Sequence, residues 1–368
     1  MLLIVFCVFI AVVVIQFLYY IVVFGKFSFA KPQTVNPKRV PISVIVCAKN
    51  EEENVKKFVP LLAEQDYHTF EIVLIDDASS DNTLEIFEEF EKQYPNIKLV
   101  KVENNEAFWG NKKFALTLGI KAAKYEYLLF TDADCYPTSK DWITSMSAQF
   151  TQQKNIVLGY GAYEKISNSF LNKIIRFETL LTATQYFSWA KIGKPYMGIG
   201  RNMAYKREEF FKVRGFMDHM KIRSGDDDLF INQAANGDNT TICYVPDSFT
   251  YSTPKTRFKD WFTQKRRHVS TAKHYKLFDR NQLGLFYVSQ LLFLLLPIVL
   301  LAFQYQWIAV VSIIGFRYLF AWLTLGFAAG KLKEKDVMYW FPIIEIVLIF
   351  TQLNVFITNT FSKPVHWK

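Results

Sequence analysis

Three short stretches of this sequence hold residue types able to do chemistry together. In "LLFTDADCYP", Asp132 and Asp134 stand two residues apart where an apolar run ends. On an extended backbone such residues point the same way, and paired carboxylates suit Mg2+ or Mn2+ bridging to a substrate's phosphates. In "SGDDDLF", Asp226, Asp227 and Asp228 are consecutive. Their mutual repulsion raises at least one pKa, and a carboxylate held at such a turn can act as a general base toward a hydroxyl. Asp226 also has a plainer use, as the cap of the helix that starts here. In "TQKRRH", Gln264 and Arg267 are three apart and share a helix face. Arg267 with Arg266 can hold a diphosphate leaving group by charge-assisted contacts, or the same face can meet lipid headgroups.

The elements that must position these residues are legible from about residue 41. "ISVIVCA", "FEIVLIDDA", "IKLVKVE" and "YEYLLFTDAD" read as strands. Between them, "NEEENVKKFVPLLAEQ", "SSDNTLEIFEEFEKQY" and "GNKKFALTLGIKAAK" read as helices. Strands this continuously apolar, alternating with helices, predict a doubly wound α/β sheet that is mostly parallel. Ligands of such sheets bind beyond the carboxyl ends of the strands. The polar strand exits Lys49-Asn50-Glu51, Asp76-Asp77 and Asp132-Ala133-Asp134 should therefore converge on one edge. Beyond residue 150, "SFLNKIIRFETLLTATQYFSWAKIG" predicts a long amphipathic helix, either packed in a core or lying at a membrane interface.

The apolar residues are unevenly spread. Residues 1–24 carry no charge and are long enough to cross a bilayer, and they lack the basic start and small-residue cleavage site of a signal peptide. Apolar segments at roughly 283–303, 306–328 and 338–359 predict three more spans. Arg317 and Glu345 lie inside them and are placed to pair. Lys26, Lys31, Lys38 and Arg39 follow the first span, so the amino terminus is expected outside and residues 25–280 in the cytoplasm. Lys331, Lys333 and Lys335 agree, whereas the terminal "SKPVHWK" falls outside against the trend. The expected organisation is a span at 1–24, a tether at 25–40, a cytoplasmic domain at 41–257, a basic interface helix at 258–280 and three spans within 281–368. A formal net charge of +9 fits anionic lipid headgroups, and no nucleic-acid-binding motif accompanies it. The four cysteines lack metal-ligand spacing and read as free thiols.

Taken in order, "PISVIVCAKNEEENV", "EIVLIDDASSDNT", "GNKKFALTLGI", "LLFTDAD", "GDDDLF" and "QKRRH" resemble the motifs of family 2 glycosyltransferases. The likeness covers about 40–280 and is nearest in layout to membrane-embedded members such as ceramide glucosyltransferase and cellulose and hyaluronan synthases. It implies a GT-A fold, a nucleotide-diphosphate sugar donor, a Mg2+ or Mn2+ cofactor and a lipid or glycan acceptor at a multi-pass cell membrane. By position, Asp77 with Asp76 would read the base, with Glu51 beside them, and Lys112 would sit near the nucleotide. Asp132 would face the ribose and donor, and Asp134 would bind the metal. The catalytic base falls on Asp226 when counted back from Leu229 and on Asp227 when the G-D-D spelling is matched; Asp226 is preferred. Gln264 and Arg267 match the Q-x-x-R-W pattern of processive synthases, except that His268 stands where those enzymes stack a tryptophan on the acceptor sugar. The resemblance therefore implies single-sugar transfer, with a polysaccharide synthase or a non-catalytic nucleotide-sugar-binding membrane subunit as alternatives. It leaves open any membrane partner.

Overall fold

The computed structural model describes residues 1–38, 40–103, 112–222 and 224–362. The chain forms two compact units. One comprises residues 32–166 and 193–255; the other comprises 1–31, 167–192 and the described residues from 256 onward.

Among the described residues, the first unit is built on ten strands: β1 Ile42–Ala48, β2 Phe70–Asp76, β3 Ile97–Lys101, β4 Tyr127–Asp132, β5 Cys135–Pro137, β6 Ile156–Leu158, β7 Gly161–Tyr163, β8 Met203–Lys206, β9 Thr240–Ile242 and β10 Thr250–Ser252. Seven of them form a sheet in the order β3-β2-β1-β4-β8-β6-β9. The first four are parallel, β8 runs antiparallel to both β4 and β6, and β9 pairs parallel with β6. This is the expected mixed, mostly parallel sheet. β5, β10 and β7 make a second small sheet.

β1, β2 and β4 are buried along nearly their whole length because helices cover both faces, which explains why they lack polar alternation. On one face the helix Glu52–Ala63 packs Val55, Val59 and Leu62 into a core with Val44, Val46, Trp142 and Met146. On β2 rides the helix Lys112–Ala122, where a Cβ on Gly119 would lie 2.1 Å from the Ile75 side chain. Only glycine lets that helix and strand approach so closely. Register aligns Ala48 with Asp76 and Cys47 with Asp132, so all three exits do open on one edge.

Among its described residues the second unit contains four helices long and apolar enough to cross a membrane: Leu2–Ser28, Leu277–Ala302, Trp307–Lys331 and Lys335–Phe361. They correspond to the four expected spans. The first runs past Phe24 to take in Lys26, and the second starts at Leu277 rather than 283, because helical hydrogen bonding continues where hydropathy has already fallen. The helices Phe170–Lys191 and Phe258–Val269 belong to this unit too. Phe170–Lys191 buries Arg176, which pairs with Glu334 and with Asp336, so this segment is a packed helix of the bundle unit.

Arg317 and Glu345 do pair, through two contacts of 2.7 and 2.5 Å. Gln16 and Tyr20 from the first span complete the guanidinium's hydrogen bonds, and Phe293 faces it at 4.6 Å. A charge far from water is tolerable only when paired and hydrogen-bonded in this way.

Candidate active site

The exits of β1 and β2 are locked by local polar contacts. Asn50 and Ala78 both adopt positive φ, 54° and 52°, immediately after their strands. Such backbone is costly for non-glycine residues and persists where surrounding contacts impose it. Here those contacts are concrete. Asn50 N donates to Ser79 Oγ, Glu51 N to Thr83 Oγ1 and Glu52 N to Asp81 Oδ2. The Glu52–Ala63 helix is thus capped by the neighbouring loop and not by its own side chain.

Asp76 and Asp77 are both buried at this edge. Asp76 Oδ2 accepts from Ser79 N at 3.2 Å, and Lys49 Nζ donates to the Asp77 carbonyl at 2.9 Å with its charge 3.9 Å from the Asp77 carboxylate. Burial pushes the Asp77 carboxyl up, with Lys49 opposing and Asp76 adding to the rise.

The backbone between Asp132 and Asp134 is not extended. Ala133 and Asp134 form a two-residue turn between β4 and β5. The turn still gathers the side chains: carboxylate oxygens of Asp132 and Asp134 and the Cys135 sulfur lie within 4.8 Å of one another. Cys135 donates to Asp134 Oδ1 at 3.4 Å, and burial holds its thiol well above the ordinary range. The set is thus two carboxylates and one buried thiol that is hydrogen-bonded to one of them. A hard cation such as Mg2+ or Mn2+ fits that set better than a thiolate-seeking metal. Asp134 is exposed as a residue, but its carboxyl is pushed up by desolvation, then by the charges of Asp132 and Glu51. A divalent cation would relieve that crowding.

Lys112 ties the two acidic groups together. Its ammonium lies 2.8 Å from Asp132 Oδ1 and 3.1 Å from Asp226 Oδ2. The desolvation it suffers is outweighed by these two charges, so it is raised well above its usual value. Beneath this bridge lies a small cavity lined by Cys47, Thr131, Tyr205 and Asp226.

The aspartate run divides by role. Gly225, at φ 93°, makes the turn that presents it, and a side chain there would strike Leu229 at 2.5 Å. The helix that follows, Asp228–Ala234, is capped by Asp227 and not by Asp226: Asp227 Oδ1 accepts from Asp228 N at 2.7 Å. Asp227 Oδ2 accepts from Gly200 N at 2.8 Å. Burial, then the charges of Asp226 and Asp228, push Asp227 up to about 7. Burial acts on Asp226 in the same sense, but Lys112, by charge and hydrogen bond, holds it below the ordinary carboxylate range. Of Asp226 and Asp227, Asp226 is the ionised member.

Two basic residues beside these acids escaped the sequence reading. Arg201 follows Gly200 in a loop fixed by Asn202, which donates to the Tyr160 and Ser248 carbonyls and accepts from Trp142 Nε1. The Arg201 guanidinium stacks 4.2 Å from the Tyr163 ring and donates to Ser252 Oγ. The other is Lys113, beside Lys112 in the first turn of its helix. Positive charge there opposes the helix dipole, and that mismatch was the available signal.

Glu51, Asp76, Asp77, Lys112, Asp132, Asp134, Asp226 and Asp227 thus all belong to the sheet unit. Gln264, Arg266 and Arg267 belong to the helical unit. There Arg266 donates to Asn359 Oδ1 at 2.9 Å and to the Ser362 carbonyl, so its fork is taken up by the last span. Lys265 pairs with Glu178.

A GT-A-type sheet with acids gathered at its carboxyl edge defines a class, and comparison with known proteins gives the family. The family model "Glycosyl transferase family 2" matches residues 43–227, half of the chain, and the protein belongs to that family. The poly-beta-1,6-N-acetyl-D-glucosamine synthase of Staphylococcus epidermidis is 41% identical over 93 residues, 25% of this chain and 21% of that protein. The probable glycosyltransferase YdaM of Bacillus subtilis is 27% identical over 244 residues, 63% of this chain and 55% of that one. Among the curated relatives named here, then, the chain spans about a fifth to just over half of their lengths. The solved mannosyltransferase PcManGT from Pyrobaculum calidifontis, in complex with GDP-Man and Mn2+, superposes with a TM-score of 0.61 at 18% identity. That likeness covers 95% of this chain and 99% of that one, and it bears on the fold.

Proposed function

We propose that this protein is a membrane-anchored, inverting glycosyltransferase moving one sugar from a nucleotide-diphosphate sugar to a lipid or lipid-linked glycan, with its sheet unit in the cytoplasm. The observation that carries this reading is the Lys112 bridge, which joins the donor-side acid Asp132 to the ionised Asp226. Family membership supplies the reaction class, and the four apolar helices supply the anchor.

In this reading Asp76 and Asp77, with Glu51 beside them, receive the nucleoside, and Lys112 with Asp132 receives the ribose and diphosphate. Asp226 takes the proton of the acceptor hydroxyl. The acceptor oxygen then bonds to the anomeric carbon as the bond from that carbon to the diphosphate oxygen breaks, and the electron pair leaves with the nucleoside diphosphate. Asp226 is favoured over Asp227 because both Asp227 oxygens already accept backbone N–H groups. Asp134, with Asp132, would hold Mg2+ or Mn2+, which supplies charge stabilisation of the departing diphosphate. Arg267, aligned with Gln264 and flanked by Arg266, is assigned to the same leaving group on the resemblance alone. The stacked Arg201 guanidinium is a further cation on the sheet unit, and its charge is felt by Asp134.

A processive synthase is the second reading, and the similarity to the poly-N-acetylglucosamine synthase favours it; His268 in place of the acceptor-stacking tryptophan opposes it. Purified protein in lipid nanodiscs, screened against nucleotide sugars with native lipid extract, should release nucleoside diphosphate only with Mg2+ or Mn2+. The lipid product should gain the mass of one sugar. A ladder of repeating masses selects the synthase, and full turnover in chelator overturns the metal assignment.

A further inference from the structure

The helix Lys112–Ala122 begins with two adjacent lysines whose ammonium groups point to different tasks. Lys112 bridges the acids. Lys113 is fully buried, and its Nζ lies 2.9 Å from the His219 carbonyl, 2.9 Å from the Ile222 carbonyl and 2.8 Å from the Ser224 carbonyl. An ammonium has three protons to donate, and here three carbonyl oxygens receive them. His219 closes a short 3-10 helix, Met217–His219, and Ile222 and Ser224 follow it, the last standing two residues before Asp226. The His219 carbonyl also accepts from Ile222 N at 3.0 Å, whereas the Ile222 and Ser224 carbonyls, withdrawn in part from water, need a donor. One side chain reaches all three, and it springs from the residue next to the one that grips Asp226.

We propose that Lys113 is a positioning residue for catalysis: by holding the His219, Ile222 and Ser224 carbonyls it sets where Gly225 turns and thus where Asp226 and Asp227 are delivered. This rests on the activity proposed above. The geometry gives the clamp a reason to be a lysine. A neutral amide offers two donors, and an apolar residue takes the Lys113 donor away from the half-buried Ile222 and Ser224 carbonyls, while the His219 carbonyl keeps Ile222 N. Burial pulls Lys113 down to about 8, and the negative charge of Asp226 opposes that pull, so a cation is favoured at this spot. Lys112 and Lys113, consecutive in the chain, therefore fix the same turn from its two sides: one holds the carboxylate, the other the backbone leading to it.

The test combines kinetics with amide hydrogen exchange on the full-length protein in nanodiscs. Lys113→Met should lower kcat on the order of tenfold to a hundredfold, the usual scale for misplacing a reacting group. Donor dissociation constants should stay within about threefold, since the donor-side residues are untouched. Exchange should accelerate across 219–228 while strands β1 and β4 keep their protection. Lys113→Gln, with two donors, should recover part of both rate and protection. Wild-type turnover by Lys113→Met overturns the proposal, as does a rate loss with unchanged exchange in 219–228. Equal deprotection of β1 and β4 in both variants also overturns it, because it shows a general structural role. If the wild-type protein turns over no nucleotide sugar while Lys113→Met still frees 219–228, the proposed activity fails and the clamp stands as a purely structural device.

Discussion

The two units of this protein both bury charge, and they do so to opposite ends. In the helical unit, Arg317 meets Glu345 in a bidentate pair, with Gln16 and Tyr20 completing the guanidinium's bonds, and Arg176 meets Glu334 and Asp336. Each of these cations is matched by carboxylates of its own unit. At the carboxyl edge of the sheet the tally is different. Glu51, Asp76, Asp77, Asp132, Asp134, Asp226, Asp227 and Asp228 crowd around Lys49, Lys112, Lys113 and Arg201, and Asp77, Asp134 and Asp227 are all raised. A folded chain tolerates such an excess where something positively charged or protonated is to be received. Balanced charge holds the helices together, and unbalanced charge stands where we propose the reaction takes place.

The contrast can be broken most severely at Asp226. Asp226→Asn should keep donor binding and lower transfer by about 10²- to 10⁴-fold, the range for removing a general base. Nucleoside diphosphate release and calorimetry with the donor check this together. Loss at Asp227→Asn with an active Asp226→Asn would move the base one residue along.

In the helical unit the expected effect is on stability. Arg317→Leu leaves Glu345 buried and uncompensated and should cost about 3–5 kcal/mol, whereas Arg317→Leu with Glu345→Leu should recover most of that. Thermal denaturation in detergent reads the difference. If both variants melt alike, the pair is not balanced in the sense argued here.

The smallest effect concerns Asp227 and pH. Its folded carboxyl is raised to about 7, so the folded state binds a proton that the unfolded chain has already lost. Stability from this group is therefore present below the ordinary carboxylate range and is lost as pH rises from about 4 to 7. Asp227→Asn, whose one side-chain oxygen can still cap the helix but then leaves Gly200 N without its acceptor, should flatten that slope whatever its effect on overall stability. Denaturation curves across pH 5–8 would show it, and an unchanged slope would return Asp227 to an ordinary carboxylate.

How much of this was readable in advance follows from range. The strands and helices of 41–132 were legible because each is a local pattern, a continuous apolar run or a helical period. The convergence of the exits followed from the rule for parallel sheets. Asp132 and Asp134 were found as a pair, but the turn between them was not, since D-x-D spacing is compatible with either backbone. The helix cap moved from Asp226 to Asp227 because capping depends on φ and ψ, which no residue type dictates. Lys113 and Arg201 went unassigned for a different reason: their partners lie about 40 to 110 residues away in the chain.

What the sequence determined by itself is therefore the set of parts: apolar runs long enough for four spans, buried parallel strands, and acids at the strand ends, all encoded in neighbouring residues. Which acid is ionised, which one caps a helix and which lysine holds which carbonyl was decided only by the tertiary structure. Those properties depend on burial and on charges a few ångströms away, and in a folded chain such neighbours come from distant positions.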